Sequence, residues 1–213
     1  MSSNDTDRHN EWQSCNPQVF WGEIAPCEHV LQIYEDKGVF LDMLEGFAAD
    51  GFSNNDCVIV IATDEHLHAL NKRLKNLAYD TNALESDDQY IPINAGEMLN
   101  VFMRDGWPDE TLFNEVITKI ICKAHAKNRN VRAFGEMVAL LWAQGHNGAT
   151  VQLEHLWNKF CEKEAFSLFC AYPKSGFTQS IDESLHSICC SHSKIISGIH
   201  PSDKEIFYKP STV

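Results

Sequence analysis

The sequence predicts an α/β protein, a three-layer α/β/α sandwich built around a mainly parallel sheet of about five or more strands. Short apolar runs alternate with amphipathic helical patterns along most of the chain. The run Cys57–Ala62 is apolar at every position, which is typical of a strand buried on both faces. Alternating strands and helices favour parallel strands joined by helical crossovers, with helices on both sides of the sheet.

The first repeating unit occupies residues 29 to 70. A short apolar strand leads into the polar loop of residues 34 to 38, and a helix follows. Apolar residues recur every four positions in that helix and share one face: Val39, Phe40, Met43, Leu44, Phe47 and Ala48. The second strand ends just before Asp64, where another helical stripe begins. Ligands of open α/β sheets bind at the carboxyl ends of the strands. We therefore expect four acidic residues to share that edge: Glu35, Asp36, Asp64 and Glu65.

The remaining chain continues the alternation. Strands are expected over residues 90–93, 131–137 and 166–171. Helices are expected over residues 98–102, 108–127, 138–142, 150–160 and 180–197, with Thr150 as the cap of the fourth. Residues 1–20 and 198–213 show no sustained period and are expected to be flexible tails. One domain over residues 21–197 results, with a core of residues 27–178 and the closing helix.

Composition restricts the classes of partner. The chain has 213 residues, 44% of them hydrophobic, and a formal net charge of -13. Nucleic acids and anionic membrane surfaces attract basic proteins, so we expect neither as a partner. No apolar segment approaches the length of a spanning helix, and the N-terminus lacks the features of a signal peptide. We therefore expect a cytoplasmic protein whose eight cysteines are reduced thiols.

Several short motifs, separated along the chain, indicate one family. They are His29, Tyr34-Glu35, Arg132, Gly135-Glu136-Met137, Glu154, Leu156-Trp157-Asn158 and Cys170-Ala171-Tyr172. In this order and spacing they resemble the MEDS domain, the methanogen/methylotroph sensory domain named after the regulator of dichloromethane metabolism. The resemblance covers residues 27–178 and extends through residues 188–192.

The resemblance implies a RecA/KaiC-like fold that lacks the phosphate-binding loop and is used in prokaryotic signalling, alone or joined to histidine-kinase or DNA-binding modules. It also implies a small ligand derived from a hydrocarbon. Combined with the polar strand ends, it predicts a set of ligand-binding residues. They are His29, Tyr34, Glu35, Asp36, Asp64, Arg132, Glu136, Met137, Glu154, Cys170 and Tyr172.

Two roles are open for Arg132. Its planar guanidinium group can hold a carboxylate of a ligand, or it can pair with Glu136 four positions later. If Arg132 lies near Glu35 or Glu154, a polar network at the strand ends would form the pocket.

The polar loop argues against nucleotide chemistry. A RecA-like site needs a G-x-x-x-x-G-K-[ST] loop to hold phosphate, whereas residues 34–38 read Tyr-Glu-Asp-Lys-Gly. Two carboxylates at that place would repel a triphosphate. Glu136 invites assignment as a general base, but the sequence offers no phosphate-binding partner, metal or nucleophile beside it. We expect no catalytic residue and no cofactor.

Two local groups contain residue types that bind metals. His186, Cys189, Cys190 and His192 fall at helical spacing, but no C-x-x-C pair completes a zinc site. Helix packing is therefore favoured, and a redox role for the two cysteines stays open. Residues 64–68, Asp-Glu-His-Leu-His, are more typical of a solvated first helical turn. We expect no metal site.

These observations favour a non-catalytic sensory domain that binds a small organic ligand, a regulatory protein, or both. The expected partner is a signalling protein such as a histidine kinase or a transcriptional regulator, and a homodimer stays open. Residues 79–89, residues 143–149 and the closing helix are the expected movable parts. The alternatives are an enzyme, either an atypical ATPase or a metal-dependent hydrolase, and a purely structural interaction module.

Overall fold

The computed structural model describes residues 13–15, 21, 24–25, 27–176, 188–197 and 205–208. The strands are β1 Gln13–Cys15, β2 His29–Tyr34, β3 Cys57–Ala62, β4 Tyr90–Asn94, β5 Met103–Arg104, β6 Trp107–Pro108, β7 Val131–Gly135, β8 Ser167–Pro173, β9 Lys194–Ser197 and β10 Glu205–Tyr208. In the described part of the chain, eight of them form one sheet in the order β1-β10-β9-β2-β8-β7-β3-β4. The six strands from β9 to β4 run parallel, while β10 and β1 are antiparallel to their neighbours. The strands β5 and β6 form a separate hairpin.

Helices connect the strands. They are α1 Lys37–Ser53, α2 Asp64–Asn76, α3 Thr81–Ser86, α4 Ala95–Phe102, α5 Glu110–His125, α6 Met137–Ala143 and α7 Asn147–Glu164. The first five start at a side chain that accepts a hydrogen bond from the first helical turn: Asp36, Thr63, Asp80, Asn94 and Asp109. The helix expected to start at Thr150 begins three residues earlier, and the Thr150 hydroxyl donates to the His146 carbonyl inside it (3.1 Å).

The sheet separates two apolar layers. Because successive side chains of a strand point to opposite faces, Ile59 and Ile61 face the layer of α4, α5, α6 and α7. Val58 and Val60 face the layer of α1 and α2. All six residues of β3 are buried. The predicted three-layer α/β/α sandwich with a mainly parallel sheet is confirmed.

The chain ends differ from the prediction. The strands β1 and β10 fall in the segments expected to be tails, and they pair with each other. The closing helix expected over residues 180–197 is wrong at its end, because Lys194–Ser197 is a strand parallel to β2. Ile195 packs on one face of the sheet and Ile196 on the other, which is the two-residue period of a strand. Residues 180–187 lie outside the described part of the chain.

Arg132 joins β7 to α1 at the amino edge of the sheet. Its guanidinium group donates to Asp56 from Nε (2.9 Å) and Nη2 (2.5 Å), and to Asp50 from Nη1 (3.0 Å). It also lies over the Phe47 ring, 5.4 Å from the ring centroid. Gly51 makes this approach possible, because a Cβ there would come within 2.8 Å of Arg132 Cδ. The chain therefore buries this cation only by matching it with two carboxylates.

Replacing Arg132 with alanine should destabilise the protein by about 3–5 kcal/mol, because the buried Asp56 carboxylate would lose its counterion. Arg73→Ala is the matched control, since Arg73 pairs with two carboxylates at the surface and its loss should cost no more than ~1 kcal/mol. Urea unfolding followed by circular dichroism measures both changes. Equal effects of the two substitutions would contradict a structural role for the buried pair.

Candidate functional site

The carboxyl edge of the sheet carries several of the predicted residues. Lys37 pairs with Glu65 (2.7 Å), which brings the starts of α1 and α2 together. Glu35 pairs with Lys174, in the turn that follows β8. Asp64 accepts a hydrogen bond from Asn94 (2.7 Å) at the end of β4. The acidic residues that follow the strands thus share one edge, and their carboxylates are already matched by cations or donors.

Glu136 holds the ends of β3 and β7 together. One carboxylate oxygen accepts the backbone N–H of Thr63 (2.9 Å), and the other lies 2.8 Å from His66 Nδ1. Tyr34 lies close by, stacked on Phe40 with the ring centroids 4.8 Å apart. Burial, with a further contribution from Glu136, raises the pKa of Tyr34 to about 12. Residues 64–68 were expected to form a solvated helical turn, but His66 is buried and its partner Glu136 lies 70 positions away.

Arg132 does not belong to this edge. The alternative in which Arg132 pairs with Glu136 is wrong, because the extended strand β7 places Arg132 at its amino end and Glu136 just past its carboxyl end. Four extended residues span roughly 13 Å. The condition that Arg132 lies near Glu35 or Glu154 is not met either, because its guanidinium group is bound to Asp50 and Asp56. Met137, at the start of α6, is fully buried in the apolar layer.

A second group of polar side chains lies inside the protein, between the sheet and α7. It consists of His29 in β2, Glu154 in α7, Cys170 in β8 and His192 just before β9, and we call it the His29 cluster. None of the four is more than 3% exposed. One donor atom from each residue lies within 4.8 Å of the corresponding atom of every other.

Short distances join the members of the His29 cluster. His29 Nε2 lies 3.2 Å from Cys170 Sγ and 3.6 Å from Glu154 Oε2. His192 Nε2 lies 3.7 Å from the same Glu154 oxygen. The two imidazole rings are 3.9 Å apart between centroids. Two strands, one helix and the segment before β9 therefore contribute to one polar centre.

Neighbouring groups orient these side chains. Tyr172 donates its hydroxyl hydrogen to Glu154 Oε1 (2.5 Å), which leaves Oε2 facing the histidines. Asn158, one turn after Glu154 in α7, places its carbonyl oxygen 2.7 Å from His29 Nδ1. The Ile188 carbonyl oxygen lies 2.6 Å from His192 Nδ1. Since both of these oxygens only accept hydrogen bonds, Nδ1 carries the proton in each ring and Nε2 presents a lone pair.

Burial favours the neutral forms of the groups at this centre. It raises the pKa of Glu154 to about 8, against the opposing effect of the Tyr172 hydrogen bond. It lowers the pKa of His29 to about 4 and raises the pKa of Cys170 and Tyr172 well above their usual ranges. Burial therefore disfavours an ion pair between His29 and Glu154, whose side-chain atoms lie 3.6 Å apart.

A cleft of about 710 Å³ adjoins the His29 cluster. Its walls come from the second half of α7 and from the segments before β2 and β9. The lining residues are Cys27, His29, His155, Asn158, Lys159, Cys161, Glu162, Cys190, Ser191, His192 and Ser193. The cleft lies at the amino edge of the sheet, opposite the edge predicted to bind ligands.

The structure thus divides the predicted site residues. It brings His29, Glu154, Cys170 and Tyr172 together. Of the other seven, Arg132 lies at the amino edge on the opposite face of the sheet, Met137 lies in the apolar layer, and five lie at the carboxyl edge: Tyr34, Glu35, Asp36, Asp64 and Glu136. His192 is absent from the predicted set, because it was weighed only in a local group with His186, Cys189 and Cys190 and was assigned to helix packing. Residues 188–190 form only a short helical turn, and His186 lies outside the described residues.

Two solved structures resemble this fold. A protein from Pyrococcus horikoshii OT3, known from a structural study, superposes with a TM-score of 0.59 at 15% identity, covering 91% of this chain and 91% of its own. The flagellar accessory protein FlaH from Methanocaldococcus jannaschii superposes with a TM-score of 0.51 at 11% identity, covering 85% of this chain and 76% of its own. Identities this low show a shared fold and nothing about activity.

Sequence comparison gives the family. No curated protein is significantly similar to this chain. Among the described residues, no helix has both the length and the apolar character needed to cross a bilayer. The model of the MEDS family, the methanogen/methylotroph, DcmR sensory domain, matches residues 28–193, which include all four members of the His29 cluster. The chain therefore belongs to the MEDS family of sensory domains.

Proposed function

We propose that this chain is a sensory domain that binds a small ligand in the amino-edge cleft and signals to a protein partner without catalysing a reaction. The family supports the sensory role. The observation that carries the ligand site is the cleft itself, whose volume of about 710 Å³ falls within the range of sites for small molecules.

The chemistry of the cleft favours a small organic molecule with a polar group. His29 and His192 line the cleft and also belong to the buried cluster. Exposed lining residues such as His155 and Lys159 leave the cleft accessible from solvent. A ligand that is largely hydrocarbon, with one oxygen, nitrogen or halogen function, would direct that function toward exposed polar side chains of the lining such as His155 and Glu162.

The residues at the carboxyl edge support the proposal that the domain does not hydrolyse nucleotides. The Asp36 carboxylate accepts the backbone N–H of Val39 (3.1 Å), so it occupies the end of α1 where a phosphate would bind in a phosphate-binding loop. Lys37 is paired with Glu65. A triphosphate bound there would therefore lie beside the Asp36 carboxylate, and Lys37 would already be paired with Glu65.

The surroundings of Glu136 support the same conclusion. Both of its carboxylate oxygens accept hydrogen bonds, from Thr63 and His66, and the side chain is buried. A general base must reach the proton of a bound substrate. Glu136 instead connects two strand ends, which is a structural role.

The position of the cleft suggests how binding would be transmitted. One wall is the rigid helix α7, and the other is the segment of residues 190–193, which leads directly into β9. A ligand that contacts both walls favours the arrangement in which they are correctly spaced. The β9 strand would carry that change toward the antiparallel end of the sheet, where a partner such as a histidine kinase or a transcriptional regulator could recognise it.

Mg²⁺-ATP should neither bind at micromolar concentration nor be hydrolysed, because the edge that would hold its phosphates is acidic. Isothermal titration calorimetry and a phosphate-release assay measure the two properties. Lys37→Ala is the informative variant, since Lys37 is the only lysine in the loop of residues 34–38. Hydrolysis by the wild-type protein that disappears in this variant would show a working nucleotide site and refute the proposal.

Gently purified protein should carry a non-covalent small molecule that native mass spectrometry detects and that denaturation releases. His155→Trp, at the mouth of the cleft, should reduce this adduct at least tenfold by filling the space. Lys72→Trp is the control, because Lys72 is exposed on α2 at the opposite face of the sheet. If both variants keep the adduct, or both lose it, the ligand does not occupy the cleft.

A further inference from the structure

We infer that His29, Glu154, Cys170 and His192 form a binding site for a Zn²⁺ ion. The inference goes beyond the sensory role, since such a site could equally stabilise a domain that binds no organic ligand. It rests on the geometry, the orientation and the charge of the four side chains.

The spacing of the donor atoms suits a tetrahedral ion. Zinc bonds of about 2.0–2.1 Å to nitrogen or oxygen and about 2.3 Å to sulfur place the ligand atoms of a tetrahedron roughly 3.3–3.7 Å apart. The observed separations are 3.2 Å for His29 Nε2 to Cys170 Sγ, 3.6 Å for His29 Nε2 to Glu154 Oε2, and 3.7 Å for His192 Nε2 to the same oxygen. The other pairs lie within 4.8 Å, so the side chains would have to approach one another by no more than about 1.5 Å on binding the ion.

The hydrogen bonds around the cluster orient it as a metal site requires. In such sites a ligating histidine donates its second N–H to a fixed acceptor. Here His29 donates to the Asn158 side chain and His192 to the Ile188 carbonyl, so both lone pairs face Glu154 Oε2. Tyr172 holds the other oxygen of that carboxyl group. No described side chain donates a hydrogen bond to Glu154 Oε2, although the residue is completely buried.

A positive species beside Glu154 Oε2 would stabilise this oxygen, because it is completely buried and receives no hydrogen bond from the described residues. A proton on Glu154 supplies one solution, and a divalent cation supplies another. When Zn²⁺ binds, the Glu154 carboxyl proton and the Cys170 thiol proton pass to solvent, and no electron transfer is involved. The two resulting anions cancel the charge of the ion, so the filled site is neutral, as burial beside an apolar layer demands.

The mixture of donors selects the class of metal. Mg²⁺ and Ca²⁺ prefer oxygen ligands throughout, whereas two imidazoles, a thiolate and a carboxylate suit zinc. Four protein ligands also complete a tetrahedron. That arrangement is typical of structural zinc sites, because catalytic sites keep a position for water or substrate.

Protein purified without chelators should contain about one zinc per chain, as measured by inductively coupled plasma mass spectrometry. Glu154→Gln and Cys170→Ser should lower the zinc content at least tenfold. Asn158→Ala should weaken zinc affinity by roughly 10-fold to 100-fold in a competition titration, because it removes the acceptor that orients His29. His68→Ala is the control: His68 is an exposed histidine on α2 at the opposite face of the sheet, and its loss should leave the zinc content unchanged.

A spectroscopic measurement on the wild-type protein tests the zinc site without variants, which could fail to fold. After zinc is stripped, Co²⁺ should produce the strong visible bands of a tetrahedral site together with a thiolate-to-metal charge-transfer band. The zinc site would be refuted by wild-type protein that neither contains zinc nor binds it at micromolar concentration. Zinc retained by both Glu154→Gln and Cys170→Ser, or Co²⁺ bound without the charge-transfer band, would place the ion elsewhere and overturn it as well. None of these outcomes decides whether the cleft binds an organic ligand, which the mass-spectrometric adduct tests separately.

Discussion

The burial of the Glu154 carboxyl group is the constraint on which the interior of this domain depends. A carboxyl group removed from water is costly unless donors or a cation surround it. Tyr172 from β8 donates a hydrogen bond to one carboxyl oxygen. The other oxygen faces the imidazoles of His29 and His192 at 3.6 and 3.7 Å and receives no hydrogen bond from the described residues. The strands must therefore keep the register seen here, in which His29 lies opposite Leu168, and Tyr172 opposite Ile33.

The two edges of the sheet have taken different roles. At the carboxyl edge, where proteins of this architecture bind ligands, Asp36 caps α1 and Glu136 fastens β7 to the start of α2. At the amino edge, Arg132 is matched by Asp50 and Asp56 in a compact brace beneath α1. The cleft opens on the same edge but on the other face of the sheet, beside α7. Helix caps and ion pairs thus occupy the carboxyl edge, and the polar cleft lies at the amino edge.

Local patterns were sufficient to predict the central strands, because an unbroken apolar run such as that of β3 has few other uses. The order of short motifs also placed His29, Glu154, Cys170 and Tyr172 in one predicted set. Pairing over long distances was not predictable. Arg132 pairs with Asp56, which is 76 positions away. No pattern near either residue in the sequence indicates that pairing.

The wrong prediction of a helix over residues 194–197 has a physical origin. Ile195 and Ile196 extend the helical spacing of earlier apolar residues, so a helix and a strand were both compatible with the pattern. The open edge of β2 decided between them, because a parallel strand there satisfies backbone groups of β2 and buries both isoleucines on opposite faces. His192 was missed for the same reason, since its position depends on where the chain turns into that strand.

The helix α7 connects the buried cluster to the cleft. Glu154 and Asn158 lie one turn apart and face the histidines, while the intervening His155 and the following Lys159 are exposed and line the cleft. A rotation or shift of α7 would change both environments at once, since one rigid helix carries both sets of side chains. An ion that fixes Glu154 against β2, β8 and the start of β9 would also fix the wall of the cleft. The shape offered to an organic ligand would then depend on the interior of the protein as much as on its surface.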